Sequence, residues 1–495
     1  MVIVAASKML TAVSTSAASL AHRRSLTCRA TASAGTASRL VPHPSDLIRW
    51  VRREGGFVHP NLRIADGDPY GLGVVATNEI PPGSELIALP SHLLLRFDRS
   101  PESDGASDGP HSTLVELARR VPDELWAMRL GLKLLQERAT ARSIWWPYIS
   151  NLPETFCIPI FFSGDDIKNL HYAPLIHQVN KRCRFLLEFE KEIKNILDNV
   201  SLRNHPFGGQ DVNSSSLGWA MSAVSSRAFQ LYGEIPYSDK PKNIPMLLPV
   251  IDMCNHSFAP NARIVQEQNM NKQNMSIKAS SSGVVADTQI KQDTHVLLNY
   301  GSLSNDFFLL DYGFVIPSNP HDHVELKYDE ALLDAASLAA GVSSSSFLSP
   351  SDWQQDILSR LNLRGDEALL KVTLGGPGLV DGRLLAALRV LLSSNKETVQ
   401  RHDLDTLMSL SEEAPLGMST EVAALRTVIS LCVVALESFP TKIMQDESIF
   451  KTAISYSTEL AVRFRMQKKL TIIDVMRKLT QKVKKISKME LTAQN

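Results

Sequence analysis

Two groups of short strand-like segments, at residues 57–95 and 247–316, are separated by a long stretch whose apolar residues recur at helical spacing. No other feature constrains the fold as much. In "GLGVVATNEIPPGSELIALP" (71–90), β-branched runs are split by Pro-Pro-Gly, which predicts two short strands and a tight turn. "SGVVADTQI" and "THVLLNYG" (282–301) are also strand-like. "STLVELARRVPDELWAMRLGLKLLQERA" (112–139) and "IHQVNKRCRFLLEFEKEIKNILDNV" (176–200) have apolar residues three and four apart and predict helices. Stretches rich in Ser, Asn, Gly and Pro at 97–112, 204–216, 237–245, 266–283 and 337–352 read as loops. From residue 325 onward the pattern is mostly helical. The reading is an α+β chain: short sheets interrupted by inserted helices at about 100–215, then a helical part over 325–490.

Composition narrows the class. An apolar content of 44% and a charged content of 21% describe an ordinary soluble globular protein. Lys and Arg total 52 and so do Asp and Glu, so no global field points to nucleic acid or to acidic substrates. Five cysteines, at 28, 157, 183, 254 and 432, include no CxxC pair, which supports neither a disulfide framework nor a zinc site. The run "VISLCVVAL" (428–436) is too short to cross a bilayer. Residues 1–45 contain no acid and carry five Lys or Arg among Ser, Thr and Ala, the composition of a chloroplast transit peptide covering about 1–40.

The stretch "LLPVIDMCNHSFAPNARI" (247–264) sets an apolar run against Asp252, Asn255, His256 and Ser257 in close succession. Taken alone, Asn-His-Ser reads as a side-chain-closed turn. Two further stretches add weight. "YGLGVVATNEIPPGSEL" (70–86) puts Gly71-Leu72-Gly73 at the start of a strand, where glycine lets the backbone approach a ligand closely. "HVLLNYGSLSNDFFLLDYGF" (295–314) holds Tyr300 and Tyr312, each followed by glycine.

The set of Gly-Leu-Gly, then Asn255 to Asn261 (NHSxxPN), then a strand ending in Tyr-Gly resembles the SET-domain protein methyltransferases. "SSRAF" (225–229), "WWPYISNLPETFCIPIFFSGDDIKNL" (145–170), "SNDFFLLDYGF" (304–314) and the helical tail narrow the likeness to the branch typified by the chloroplast Rubisco large-subunit lysine methyltransferase. The resemblance covers roughly 45–490. It implies a SET domain over 45–318 with a helical insertion, followed by an all-α substrate-binding domain. It also implies an S-adenosylmethionine-dependent protein-lysine methyltransferase of the chloroplast stroma, a monomer needing neither metal nor membrane. Its partner would be a protein with an exposed lysine, Rubisco large subunit or fructose-bisphosphate aldolase being usual targets. By that resemblance Tyr70, Gly71, Leu72, Arg227, Asn255 and His256 hold the cofactor, Asp252 and Tyr312 face the substrate, and Tyr300 is the catalytic tyrosine. Two other functions stay open: a largely non-catalytic component of a plastid transcription assembly, and a protein-histidine methyltransferase.

Methyl transfer from a sulfonium to an amine is a direct displacement. The amine must be neutral, although free lysine has a pKa of about 10.4. A nearby positive sulfonium and a low-dielectric channel push that value down, so no dedicated base is required. The rest is aim, to which tyrosine rings are suited.

Three departures from the family pattern stand out. Residue 70 is Tyr where an acid is common, and "IKQDTH" (290–295) replaces a Lys-Gly-Glu-Glu type of turn, predicting an altered one. The segment 266–283 replaces a stretch that reaches the substrate in relatives. The tail 463–488 has ten Lys or Arg and one acid, with Ile473, Met476, Leu479, Val483 and Ile486 on one stripe. It reads either as a solvated basic face over a core stripe or as a contact for an acidic partner or nucleic acid.

Overall fold

The computed structural model describes residues 45–493 apart from 68–70, 98–109, 234–241, 271–276, 342–346, 366–369 and 411–413. The expected transit peptide and Tyr70 therefore lie outside the described residues. The chain enters through α1 (Ser45–Arg53), which has Asp46 in its first turn and Arg52 and Arg53 in its last, each complementing the helix dipole. Its apolar face, Leu47, Ile48, Trp50 and Val51, is buried, with Trp50 edge-on to Trp145 at 6.2 Å.

The two strand-rich blocks pair with each other across the insertion. Strands β1 (Phe57–Val58), β2 (Leu62–Gly67), β3 (Gly71–Ala76), β4 (Glu85–Pro90) and β5 (Leu95–Arg96) come from the first block. The second supplies β6 (Ala228–Gly233), β7 (Lys242–Leu247), β8 (Asn255–His256), β9 (Ala262–Met270), β10 (Ile277–Ala286) and β11 (Leu297–Leu298). One antiparallel sheet runs β1-β4-β10-β9, another β5-β7-β6, and β2 pairs with β3. Strand β4 is thus sandwiched by partners from both blocks, which is how such short strands become stable. Two turns meet back to back where Ile80 and Ile290 exchange both backbone hydrogen bonds at 2.9 Å. In the turn that replaces the Lys-Gly-Glu-Glu type, Asp293 takes φ +56°, a conformation that Asp tolerates better than most residues.

Between the blocks lie the helices α2 (Pro110–Arg119), α3 (Ala127–Ala139), α4 (Trp146–Ile149), α5 (Ala173–Leu197) and α6 (Ser214–Ser225). Helix α6 starts with Asn213 and Ser216 capping each other's backbone N–H, and it carries the insertion to Ser225, beyond the boundary expected near residue 215. After β12 (His323–Lys327) come α7 (Glu330–Ala340), β13 (Lys371–Gly375), α8 (Gly382–Leu392), α9 (Met418–Glu437) and α10 (Tyr456–Ala493), the last of 38 residues.

Several expectations are corrected. Residues 266–270 and 277–283, read as loop, are strand: β9 and β10 pair from Met270 and Ile277 onward with a bulge between Ala279 and Ser281, because alternate small and apolar residues such as Ser282 and Val284 bury against β4. Strand β7 takes up residues read as loop from Lys242 onward. The C-terminal part is not purely helical, since β12 and β13 form an antiparallel pair whose Val324, Val372 and Leu374 are buried. "VISLCVVAL" belongs to the longer helix α9, which by length and composition alone can cross a membrane; here it buries Val422, Leu425, Val428 and Leu431 and carries Glu421 in a buried double ion pair with Arg389.

Two apolar cores result. One joins α1, the sheets formed by β1 to β11 and most of the insertion. The other gathers the C-terminal helices and also takes Phe162, Leu170, Tyr172, Leu175 and Val179 from the insertion, so the insertion is shared between both.

Candidate active site

The site forms where residues 294–300 pass between β3 and β8. On one side the Ala76 N–H donates to the Thr294 carbonyl and the Val296 N–H to the Val74 carbonyl, at 3.0 and 2.8 Å. On the other, β11 runs parallel to β8 and the Ser257 N–H donates to the Leu298 carbonyl at 2.9 Å. Asn261 completes the lacing: its amide donates to the His295 carbonyl at 2.9 Å and its Oδ1 accepts from the Leu297 N–H at 2.8 Å.

The chain enters this region under strain. Val250, fully buried, has φ +70° and ψ −42°, which costs a β-branched residue about 1–3 kcal/mol. The turn Ile251–Met253 that follows puts Asp252 and Cys254 in the interior. The apolar run of 247–251 is therefore the buried anchor that overrides the strain, and the polar residues after it are functional groups delivered to the inside.

These groups make three linked clusters. In the first, the Asn255 amide donates to the Leu72 carbonyl at 3.2 Å. Gly71 has φ +68°, and among the described residues an added Cβ would meet nothing nearer than Asp66 Oδ1 at 3.8 Å. Gly73 has the opposite problem: a Cβ there would lie 2.4 Å from Asn255 Nδ2 and 2.7 Å from His295 Nδ1. One glycine of the pair leaves open ground and the other makes room for the Asn255 and His295 side chains.

In the second cluster, Asp252 Oδ2 accepts from the Tyr148 hydroxyl at 2.9 Å and from Arg227 at 3.3 Å, and Arg227 also reaches the Asp252 carbonyl at 3.3 Å. Burial and the Asp252 charge raise the Tyr148 phenol well above its ordinary pKa. Burial is the largest influence on the Arg227 guanidinium and pulls it down, but Asp252, Tyr148 and Tyr300 together outweigh it and the net shift is upward. The pair is therefore charged, with Tyr148 as a neutral donor.

The third cluster is aromatic. The Tyr300 hydroxyl donates to the Cys254 carbonyl at 2.6 Å, and the Tyr300 N–H donates to His256 Nδ1 at 3.1 Å. The Tyr300 ring stacks on Tyr312 with centroids 5.2 Å apart and planes 25° off parallel. Burial, then the neighbouring Cys254 and Tyr312, raise the Tyr300 phenol; burial and Asp311 push Tyr312 up to about 12. Burial lowers His256 to about 4, so its ring is neutral and, with Nδ1 accepting, carries its proton on Nε2.

Of the residues named from the sequence, Gly71, Leu72 and Asn255 thus come together, Arg227 binds Asp252, and His256, Tyr300 and Tyr312 share one ring cluster. The Asp252 carboxylate, expected to face substrate, is engaged within the protein by Tyr148 and Arg227. The His256 ring, expected at the cofactor, holds the Tyr300 backbone. Sequence reasoning missed Tyr148, His295 and the Cys254 carbonyl. Tyr148 stands in the quoted "WWPYISNLP", yet nothing in a spacing of 104 residues announces its bond to Asp252. Among the described residues no group of three or more His, Cys, Asp or Glu is arranged to hold a metal.

The SET domain family matches residues 71–301, the span from Gly71 to Gly301 that supplies the three clusters apart from Tyr312. The chain carries a SET domain. Residues 349–471 match the Rubisco LSMT substrate-binding family, so the two-domain order fits the Rubisco LSMT-like branch. Among curated proteins it is similar to the actin-histidine N-methyltransferase of Gallus gallus, 25% identical over 440 residues, covering 86% of this chain and 66% of the relative. The Homo sapiens protein of that name is 24% identical over 439 residues, with coverages of 86% and 66%. The SET-domain chain spans about two thirds of the length of these relatives. Its fold is that of solved LSMT structures. The LSMT SET domain bound to lysine and AdoHcy aligns with a TM-score of 0.60 at 19% identity, covering 90% of this chain and 94% of that one. Rubisco LSMT bound to AdoMet aligns with a TM-score of 0.58 at 18% identity and the same coverages.

Proposed function

We propose that this SET-domain protein is an S-adenosylmethionine-dependent protein methyltransferase whose acceptor is a lysine. The observation that carries the reading is the Tyr300 phenol, fixed on the Cys254 carbonyl at 2.6 Å and stacked on Tyr312, next to the segment that holds Asn255 on Leu72. The residues fit the cofactor. Gly71 borders open ground, and the buried Arg227 Nε makes no hydrogen bond among the described residues, leaving a donor for an acceptor group. Gly71, Leu72, Asn255 and Arg227 would hold the cofactor, which when bound supplies a methyl group on a sulfonium.

The protein's own groups supply position. The Tyr300 hydroxyl hydrogen is committed to Cys254, so its oxygen can only accept, and it suits an incoming N–H. Burial keeps both phenols protonated, so neither serves as a base at neutral pH. The low dielectric favours a neutral lysine. Each ring face attracts a cation by about 0.5–2 kcal/mol, and orientation alone can supply up to roughly 7–11 kcal/mol.

The plastid composition of residues 1–40 supports a stromal protein, such as Rubisco large subunit or aldolase, as the acceptor; fluorescence of a 1–45 fusion in plastids tests the destination. The test of activity is incubation of the protein with labelled S-adenosylmethionine and stromal extract, beside Tyr300→Phe. Label on a lysine, lost in the variant, is the expected result. Cofactor binding without any label would instead favour a role as a component of an assembly. A second reading, histidine methylation, is favoured by the likeness to actin-histidine N-methyltransferases. It predicts label on an imidazole with actin as acceptor.

A further inference from the structure

The segment 303–319 forms a closed loop. The Asn319 amide donates to the Leu303 carbonyl at 2.9 Å, and Asn305 bonds Ile316 twice, at 2.9 and 3.0 Å. Within it a single π-helical turn, Phe308–Tyr312, carries Tyr312, and such turns frequently sit at functional sites. Gly313 follows at φ +78°, and a Cβ there would lie 2.7 Å from the Cys157 carbonyl of the insertion.

Two cations from distant parts of the chain hold this loop. Arg182, on insertion helix α5, pairs with Asp311 at 2.6 Å, one residue from Tyr312. Lys468, on α10, is fully buried and donates to Asp306, to Asp322 at 2.7 Å and to the His323 carbonyl at 2.7 Å. Asp322 in turn accepts the Asn305 N–H at 3.0 Å and its amide at 3.1 Å, so the Lys468 charge bears directly on the closure of the loop. Gln467 adds an acceptor for the Ser318 N–H at 2.9 Å. Arrangements that touch only one side of a wall fix it poorly; this one approaches from both.

We propose that Arg182 and Lys468 are positioning residues for the acceptor channel, setting Tyr312 against Tyr300 from the insertion and from the C-terminal helix. The inference rests on the methyl-transfer reading. Neither cation touches the Leu72–Asn255 cradle, so loss of either separates acceptor handling from cofactor binding.

Lys468→Met strands two carboxylates and is expected to unfold the chain, so Arg182→Gln and Asp306→Asn carry the test, in the full chain. Amide hydrogen exchange in 303–319 is expected to rise about tenfold, while 71–76 and 255–261 stay unchanged. Calorimetric affinity for S-adenosylmethionine is expected to stay within about twofold, and labelling of stromal extract to fall about tenfold and recover in Arg182→Lys. The Arg182→Gln loss should vanish in a Tyr312→Ala background, since residues acting through one contact are not additive. Unchanged exchange, additive losses or a parallel loss of cofactor affinity would overturn the proposal. No label from the wild-type chain refutes the methyl-transfer reading, whereas an unresponsive 303–319 in an active enzyme refutes only the joint.

Discussion

Ala at Gly73 and Ala at Gly71 are chemically identical changes two residues apart, and the structure predicts different outcomes. At Gly73 the new methyl would lie 2.4 Å from Asn255 Nδ2 and 2.7 Å from His295 Nδ1. Those side chains must retreat by about 1 Å to reach ordinary contact distance. Overpacking of this kind costs about 1–3 kcal/mol, and loss of the Asn255–Leu72 hydrogen bond adds about 0.5–1.5 kcal/mol. The sum, about 1.5–4.5 kcal/mol, corresponds to a roughly 10- to 2,000-fold loss of affinity if all of it falls on cofactor binding. At Gly71 there is no clash, and the cost is backbone: a non-glycine residue at φ +68° pays about 1–2 kcal/mol. Isothermal titration with S-adenosylhomocysteine, paired with urea unfolding of the free proteins, measures both. Gly73→Ala is expected to lose binding out of proportion to stability, and Gly71→Ala to lose stability first. Wild-type affinity in Gly73→Ala would refute the placement of Asn255 against this strand, whatever the ligand.

Tyr300→Phe deprives the Cys254 carbonyl of its donor; it is expected to cost about 1–3 kcal/mol in urea unfolding and to lower labelling about 10²-fold while cofactor binding persists. Asp252→Asn leaves Arg227 without its counter-charge and is expected to destabilise by about 3–5 kcal/mol, against about 1.5–3 kcal/mol for Tyr148→Phe, so equal effects would contradict the ion pair. His256 and His171 are both lowered to about 4, the first by burial and the second by burial and then Arg465. The unfolded chain therefore takes up protons between pH 6.5 and 4 that the folded chain refuses, so stability is full above pH 6.5 and falls as pH drops through that window. Thermal melts against pH show the slope, and His256→Gln should flatten it.

The strands around Pro-Pro-Gly and the long helix over 173–197 were legible because their periodicity is local. The residues of the site were legible as types, through the family likeness, but their partners were not. Tyr148, Asp252 and Arg227 are joined by hydrogen bonds spanning 104 and 25 residues, and periodicity carries no information at that range. The β9–β10 hairpin was hidden by its composition: Asn, Gln and Ser have weak strand preference, and pairing with β4 overrides it. His256 illustrates the limit most directly. The family likeness puts His256 at the cofactor, and nothing local announces that its Nδ1 also accepts the Tyr300 N–H.

The basic tail shows why charge counts along a sequence overstate surface charge. Arg465, Lys468 and Lys469 of the ten cations in 463–488 are buried, the first and third against Asp446 and the second against Asp306 and Asp322. Arg477 and Lys478 pair with Asp474 on the surface. The core stripe is also rotated from the one expected: Ile472, Val475, Leu479, Val483 and Ile486 are buried, and Ile473 is 41% exposed. That rotation is what turns Lys468 inward, since residues four and seven apart share a helix face. A cation buried without its partners would cost several kcal/mol, so helix α10 can dock only where Asp306, Asp322 and Asp446 already stand. Asp306 belongs to the loop that carries Tyr312, Asp322 closes on that loop through Asn305, and Arg465 also reaches the Asn169 carbonyl of the insertion at 2.7 Å. Docking of the C-terminal helix and completion of the tyrosine wall are therefore one event, and a chain cut before residue 456 would retain the Leu72–Asn255 cradle but not a fixed Tyr312.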